Sequence, residues 1–318
     1  MTFTPKCLVT GGAGFIGSNL AGELISQGAK VTVLDNLITG FKENLNEIDG
    51  DFDFVLGDIN DEMALNKALD GCEIVFHQAA LPSVPRSVDD PAETHEACVN
   101  ATFKLLLKSR DVGVQRFIYA ASSSAYGDQP TLPKVETMRP EPLSPYAAAK
   151  LTGEYYCQVF HQVYGLETFS LRYFNVFGPR QNPSSMYSGV ISRFIDAVFG
   201  NKQPVIYGDG EQSRDFTYVA NVVNANIKAA HAKSGFGEVI NIANSERITL
   251  NELLSTIKNI ADKPDVIADF QPPRKGDVKH SQADNQRAVE LLGYEKLVDL
   301  EDGLRKTIDW WKSSRFAK

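Results

Sequence analysis

Through the first 175 residues, apolar β-branched runs alternate with stretches whose apolar residues recur every three to four positions. That alternation predicts an α/β fold, a doubly wound parallel sheet with helices on both faces. Strands are expected near 6–10, 30–34, 53–56, 73–77, 116–121 and 167–173, with helices at 16–26, 61–69, 92–111 and 145–164. Beyond Arg180 the regularity breaks up: Asn182-Pro183-Ser184-Ser185 reads as loop, 189–199 as helix, and 204–207 and 238–242 as short strands. The expected organisation is a sheet domain over 1–175 and a smaller lobe over 176–318, with a soft boundary and an interleaved lobe.

The first expected strand runs through Cys7-Leu8-Val9 into Thr10-Gly11-Gly12-Ala13-Gly14-Phe15-Ile16-Gly17, and a helical pattern follows from Ser18. A strand that turns into a helix through glycines lets the backbone approach a pyrophosphate, and the helix start offers unpaired N–H groups to it. The second strand ends at Asp35-Asn36, and Asp35 lies 24 residues beyond Gly11. A carboxylate there can accept both adenosine ribose hydroxyls and would repel a 2′-phosphate, so NAD is the expected cofactor.

Composition narrows the function classes. The chain has 318 residues, 43% of them hydrophobic, enough for a large core. A net charge of −8 without a long basic run argues against a general nucleic-acid or anionic-membrane surface, while leaving room for a local basic pocket. Cys7, Cys72, Cys98 and Cys157 are scattered, which argues against a disulfide framework, and no structural metal site is expected. With no signal-like apolar region and no run approaching the roughly 18 residues of a membrane span, a cytoplasmic protein is expected.

Tyr146 and Lys150 stand four apart at the start of a helical stretch preceded by Ser144-Pro145, so their side chains face the same way. An ammonium beside a phenol favours the phenolate, a base able to take an alcohol proton. It is the only Tyr-x-x-x-Lys pair in the sequence, and it follows the fifth strand, on the side where open sheets bind ligands. That strand ends in Ala120-Ala121-Ser122-Ser123-Ser124, which sets hydroxyls at the same crevice.

The Gly11/Gly14/Gly17 loop, Asp35, Asp58-Ile59, Ala120 to Gly127, Tyr146/Lys150 and Leu171-Arg172-Tyr173-Phe174-Asn175 together resemble the nucleotide-sugar epimerases of the extended short-chain dehydrogenase/reductase family. The resemblance runs nearly end to end and is nearest to UDP-hexose 4-epimerases, especially those acting on N-acetylated hexosamines. It implies a Rossmann-type sheet and three catalytic groups, Ser122, Tyr146 and Lys150, with Ser123 or Ser124 able to share the relay. Phe15 and Ile16 would follow the pyrophosphate. Asp35, Asn36, Thr39 and Gly40 would hold the adenosine ribose, and Asp58 and Ile59 would flank adenine. Gln78, Ala79, Ala80 and Ala120 would line the middle of the cofactor, and Asn100 and Tyr173 its nicotinamide half.

For a UDP-hexose substrate the resemblance implies phosphate contacts from Asn175, Arg214 and Arg274, uridine contacts from Val205, Tyr207 and Asp277, and weaker contacts from Ser83, Arg86, Arg180 and Val190. Ser281 aligns with a position where small bulk admits a 2-acetamido group. Tyr187-Ser188-Gly189-Val190-Ile191-Ser192 departs from the family pattern. The expected reaction is reversible C4 epimerisation through a 4-keto sugar in a homodimer joined through 92–111 and 145–164. UDP-glucuronate 4-epimerase is the alternative. Ser123-Ser124-Ala125 replaces the acids of dehydratases and decarboxylases, and retention of Ser122, Tyr146 and Lys150 disfavours a non-catalytic NAD sensor.

Overall fold

The computed structural model describes residues 4–182, 189–273 and 278–314. In chain order the first half runs β1 (Lys6–Thr10), α1 (Phe15–Ser26), β2 (Lys30–Asp35), α2 (Lys42–Asn46), β3 (Asp53–Leu56), α3 (Glu62–Ala68), β4 (Ile74–His77), α4 (Val84–Asp89), α5 (Pro91–His95), α6 (Ala101–Asp111), β5 (Arg116–Ser122), α7 (Pro145–Tyr164) and β6 (Glu167–Tyr173). The second half contains β7 (Val176–Phe177), α8 (Val190–Phe199), β8 (Val205–Tyr207), β9 (Ser213–Arg214), β10 (Thr217–Tyr218), α9 (Val219–His231), β11 (Val239–Ile242), β12 (Ile248–Thr249), α10 (Leu250–Ile260), β13 (Asp269–Gln271), α11 (Gln286–Leu292) and α12 (Leu300–Ser313). None of the helices in the described residues is long and apolar enough to cross a membrane.

Seven strands form one parallel sheet in the order β11-β6-β5-β4-β1-β2-β3. Its order reverses between β1 and β4, so a crevice opens there at the carboxyl ends. Strand alternation feeds two cores. On β5, Ile118 and Ala120 join one core with α1 and α9, whereas Phe117, Tyr119 and Ala121 join the other with α3, α6 and α7. Because β11 pairs with β6, and α9 packs on α1, residues after 175 return to the main sheet.

The helix expected over 92–111 carries a π turn at Glu96–Asn100 between α5 and α6, and the separate helix α4 precedes it. Ser83 and Asp90 start α4 and α5 by accepting from Arg86 N and Glu93 N, with proline in each first turn. The π turn lets one extra residue into the helical rod and re-aims the face after it. Among the helices that follow β10, α9 through α12 have no counterpart in the sequence expectations.

Helix α7 carries Tyr146 and Lys150 at its start, capped by Ser144, and a buried ion pair fixes it to the sheet. Arg172 of β6 donates from Nε to Glu154 Oε1 (2.9 Å) and from Nη2 to Oε2 (2.6 Å), with the guanidinium over the Tyr126 ring. Both side chains are almost wholly buried, at 3% and 1% exposure. Removing one partner leaves an uncompensated buried charge, so Glu154→Gln is expected to cost about 3–5 kcal/mol in urea unfolding. A loss below about 1 kcal/mol would show that the pair does not anchor α7.

Candidate active site

A cavity of about 830 Å3 lies over the carboxyl ends of β1, β2, β4, β5 and β6. Its walls include Gly11, Gly14, Phe15, Ile16, Gly17, Asp35, Asn36, Thr39, Asp58, Ile59, Gln78, Ala79, Ala80 and Ala120. Ser83, Arg86, Ser122, Ser123, Ser124, Tyr146, Lys150, Tyr173 and Asn175 line the same space.

The glycine loop is built for close approach. Gly11 has φ 68°, and a Cβ there would fall 2.7 Å from the Ala79 backbone; on Gly17 it would meet Gly11 O at 2.2 Å. Gly14 caps α1 without a side-chain bond, which leaves the first N–H groups of that helix to the cavity. The buried Asp35 carboxylate accepts from Ala13 N through Oδ2 (2.9 Å) and from Leu37 N through Oδ1 (2.8 Å), keeping lone pairs for ribose hydroxyls. Burial raises this carboxyl from its ordinary value, and the two N–H groups oppose the rise. Gly40 does not line the cavity but backs Asp35, where a Cβ would stand 2.9 Å from Oδ1. The donors, the acid and the glycine cradle fit a dinucleotide.

At the other end, Ser122 closes β5 and caps the short 3-10 turn Ser123–Tyr126. Its Oγ accepts from Ser124 N (3.2 Å) and lies 2.8 Å from Ser124 Oγ. Tyr146 faces Ser122, and hydrogen bonding between them favours the phenolate. Burial outweighs it and raises the phenol well above its ordinary value, with Cys98 adding to the rise. The buried Lys150 donates from Nζ to Ala120 O (2.9 Å), stands 4.9 Å over the Tyr119 ring, and is itself lowered by burial. In the protein alone the Lys150 ammonium is thus drawn to a strand carbonyl, and burial is the leading influence on the Tyr146 phenol.

The model of the NAD dependent epimerase/dehydratase family matches residues 7–243. The chain belongs to this family. NAD is accordingly its cofactor, and the protein is an enzyme of the nucleotide-sugar-modifying type. It is 37% identical over 312 residues to the UDP-glucose 4-epimerase of Mycolicibacterium smegmatis, covering 97% of this chain and 99% of the relative. Its fold matches the UDP-N-acetylglucosamine 4-epimerase of Methanobrevibacter ruminantium M1, solved with UDP-N-acetylmuramic acid, at TM-score 0.93 and 40% identity over 98% and 99% of the two chains. The Bacillus cereus UDP-glucuronic acid 4-epimerase, solved with UDP-glucuronic acid and NAD, matches at TM-score 0.89 and 34% identity over 97% and 99%.

In this epimerase-family site several expected residues stand apart from the cavity. Asn100 is exposed and donates to Glu96 Oε2 (2.5 Å), because the π turn presents Glu96, Ala97 and Ala101 to the cavity instead. Arg180 turns away to Glu47, donating from Nε to Oε2 at 3.2 Å and from Nη2 to the Glu47 carbonyl at 2.8 Å. Val190 opens α8, while neighbouring Gly189 lines the wall. Val205 and Tyr207 lie on β8, paired with β13, and Arg214 donates to Ser213 O and Lys279 O; none of these three lines the cavity. Arg274 and Asp277 lie outside the described residues, as do Tyr187 and Ser188.

Asn175 lines the cavity at φ 35°, with Nδ2 donating to Asp215 O (2.9 Å) and Ser281 Oγ (3.2 Å). Both amide hydrogens are thus engaged within the protein. A phosphoryl oxygen would have to take the one shared with Ser281, whose hydroxyl can turn.

Two buried polar groups escaped sequence reasoning. Asn226 of α9 donates to Tyr173 OH (2.8 Å), and Gln78 donates to Asn226 Oδ1 (3.2 Å), tying that helix to the cavity floor. Fully buried His77 bridges Thr10 (Nδ1–Oγ1, 2.7 Å) and Thr102 (Nε2–Oγ1, 2.9 Å). Thr102 Oγ1 donates to Cys98 O and Thr10 Oγ1 accepts from Ala79 N, so a proton on Nε2 satisfies the whole chain. The only local signal was a histidine inside an apolar strand.

Burial, reinforced by Lys150, lowers His77 to about 3. An unfolded histidine takes up its proton below about 6.5, so between those values the unfolded state binds more protons and stability falls as pH falls. Relative to His77→Asn, the wild type is expected to lose about 2–3 kcal/mol more between pH 7.5 and 4.5 in urea titrations. Parallel pH profiles for the two proteins would refute a neutral, buried His77.

Proposed function

We propose that this protein is a UDP-sugar 4-epimerase whose preferred pair is UDP-N-acetylglucosamine and UDP-N-acetylgalactosamine, with UDP-glucose and UDP-galactose also accepted. The observation that carries the reading is the meeting of Ser122, Tyr146 and Lys150 with the glycine loop and Asp35 in one cavity. Similarity over nearly the whole length to UDP-glucose and UDP-N-acetylglucosamine 4-epimerases supports it. Ser281, a small residue hydrogen-bonded to Asn175 beside the cavity, supports room for a 2-acetamido group.

The glycine loop, Asp35, Asn36, Thr39, Asp58 and Ile59 hold the adenosine diphosphate half of NAD; Gln78 to Ala80, Ala120 and Tyr173 receive the remainder. Bound NAD supplies a positive ring and a reversible hydride acceptor for C4. Tyr146, as phenolate, takes the proton of the C4 hydroxyl with Ser122 bridging, and the sugar becomes a 4-keto species. Burial opposes the phenolate form, and a nearby cation would favour it. Lys150, immobilised by Ala120 O, holds a positive charge at that wall and stands ready for a ribose hydroxyl. Asn175, which lines the cavity, would hold a phosphate oxygen of UDP while the keto sugar turns, with Arg274 and Asp277 as further anchors outside the described residues. On the return, Tyr146 would give the proton back to the C4 oxygen.

UDP-glucuronate is the second reading, favoured by the three hydroxyls of Ser122, Ser123 and Ser124 on the cavity wall, donors suited to a sugar carboxylate. Separate incubations with UDP-N-acetylglucosamine, UDP-glucose and UDP-glucuronate, read by proton NMR at C4, decide between them. Inversion of the N-acetylated sugar is the expected result. Inversion of UDP-glucuronate alone would transfer the assignment, and no inversion of any would end it. Tyr146→Phe is expected to lower kcat at least 100-fold while NAD stays bound; a smaller loss removes Tyr146 as the base.

Helix α7 exposes Tyr155, Val159 and Val163 at four-residue spacing, with Phe103 exposed on α6. An apolar stripe of this kind suits a homodimer in which both helices pack against their copies. Light scattering is expected to give twice the chain mass, and Val159→Lys with Val163→Glu to give the single-chain mass. A monomeric wild type would rule this interface out.

A further inference from the structure

Asp215 is fully buried between β9 and β10 and does not line the cavity. Its Oδ1 accepts from Asn244 N just beyond β11 (2.9 Å), and its Oδ2 accepts from Ala283 N (3.1 Å). Its main-chain carbonyl accepts from Asn175 Nδ2 (2.9 Å). Asn175 in turn reaches Ser281 Oγ, and Ser281 N donates to Ser213 O (3.0 Å). Four stretches far apart in sequence therefore meet at one residue: the exit of β6 at its main-chain carbonyl, the exit of β11 and Ala283 at its carboxylate, and the β9–β10 turn that carries it. Of the residues in this knot, Asn175 is the one that lines the cavity, and it does so from a left-handed backbone position, φ 35°, that asparagine tolerates better than most residues.

We infer that Asp215 is a positioning residue for the nucleotide-sugar half of the site, setting where Asn175 and Ser281 stand without touching the ligand itself. The inference rests on the UDP-sugar reading above. A carboxylate suits the place because each oxygen meets a different backbone N–H. An asparagine offers one acceptor and one NH2, so one backbone donor would face another donor. Burial pushes the Asp215 carboxyl up to about 7, against the N–H groups of Ala283, Asn244 and Ser245. At pH 8 the group is ionised and both oxygens accept.

The test compares NAD-loaded wild type and Asp215→Asn at pH 8, with UDP titrated by calorimetry and amide exchange followed by mass spectrometry. The variant is expected to bind UDP about tenfold more weakly, to raise KM for the UDP-sugar similarly, and to speed exchange in the peptides containing Asn244 and Ala283. Its NAD content and kcat should stay within threefold of wild type, a split that general destabilisation would not produce. A folded variant with unchanged UDP affinity, or one losing NAD and kcat in parallel, overturns the inference. Should the variant not fold, the wild type carries the test: UDP must slow exchange in those same two peptides, and unchanged exchange on saturation overturns the inference. A wild type that binds no UDP at all refutes the nucleotide-sugar reading instead, a result distinct from any of these.

Discussion

The closeness of two backbones, Gly11 against Ala79, is the constraint on which the site depends. A Cβ at Gly11 would stand 2.7 Å from Ala79 N, and Gly11 N at the same time donates to Leu34 O (2.8 Å). These contacts draw the exits of β1, β2 and β4 into one seam at the point where strand order reverses. Widening the seam would separate the glycine loop from the floor that continues through Gln78 and Ala80. It would also break the chain from Ala79 N through Thr10 and His77 to the π turn beside Tyr146. Cofactor cradle and reacting wall are therefore parts of one packing solution.

The titratable groups of the site are buried, and burial moves them toward their neutral forms. Burial is the leading influence on Asp35 and Tyr146, which it raises, and on His77 and Lys150, which it lowers. A protein interior can tolerate such groups only with hydrogen bonds in place, and each has them: backbone N–H groups on Asp35, threonines on His77, a strand carbonyl on Lys150. Tyr146 is the exception in kind, since the bond it shares with Ser122 does not offset its burial. Burial therefore opposes its phenolate form, which a nearby positive charge would favour.

The sheet was legible because its signals are local. Cys7 to Val9, Val31 to Leu34 and Phe117 to Ala121 are apolar runs that no helix period explains, and the glycine loop and Tyr146/Lys150 occupy fixed offsets from them. Asn100 was misplaced because a π turn has no compositional mark; it adds a residue and passes the cavity-facing role to Glu96 and Ala97. Asn226 was invisible for another reason: an asparagine in an amphipathic helix gains its meaning only from Tyr173 and Gln78, distant in sequence. Arg180 and Arg214 carry the chemistry expected of phosphate ligands, yet Glu47 and the carbonyls of Ser213 and Lys279 engage them, contacts that only tertiary structure supplies.

The return of β11 to the sheet edge sets where the second half of the chain stands. Its pairing with β6 runs from Val239↔Ser170 to Ile242↔Tyr173, so the chain leaves β11 level with the residue that begins the turn into Asn175. A one-residue slip in that register would invert the strand's faces and move Asn244 off the Asp215 carboxylate. The second half of the chain is thus located by this ladder together with a shared core and side-chain bonds such as that of Asn226 to Tyr173.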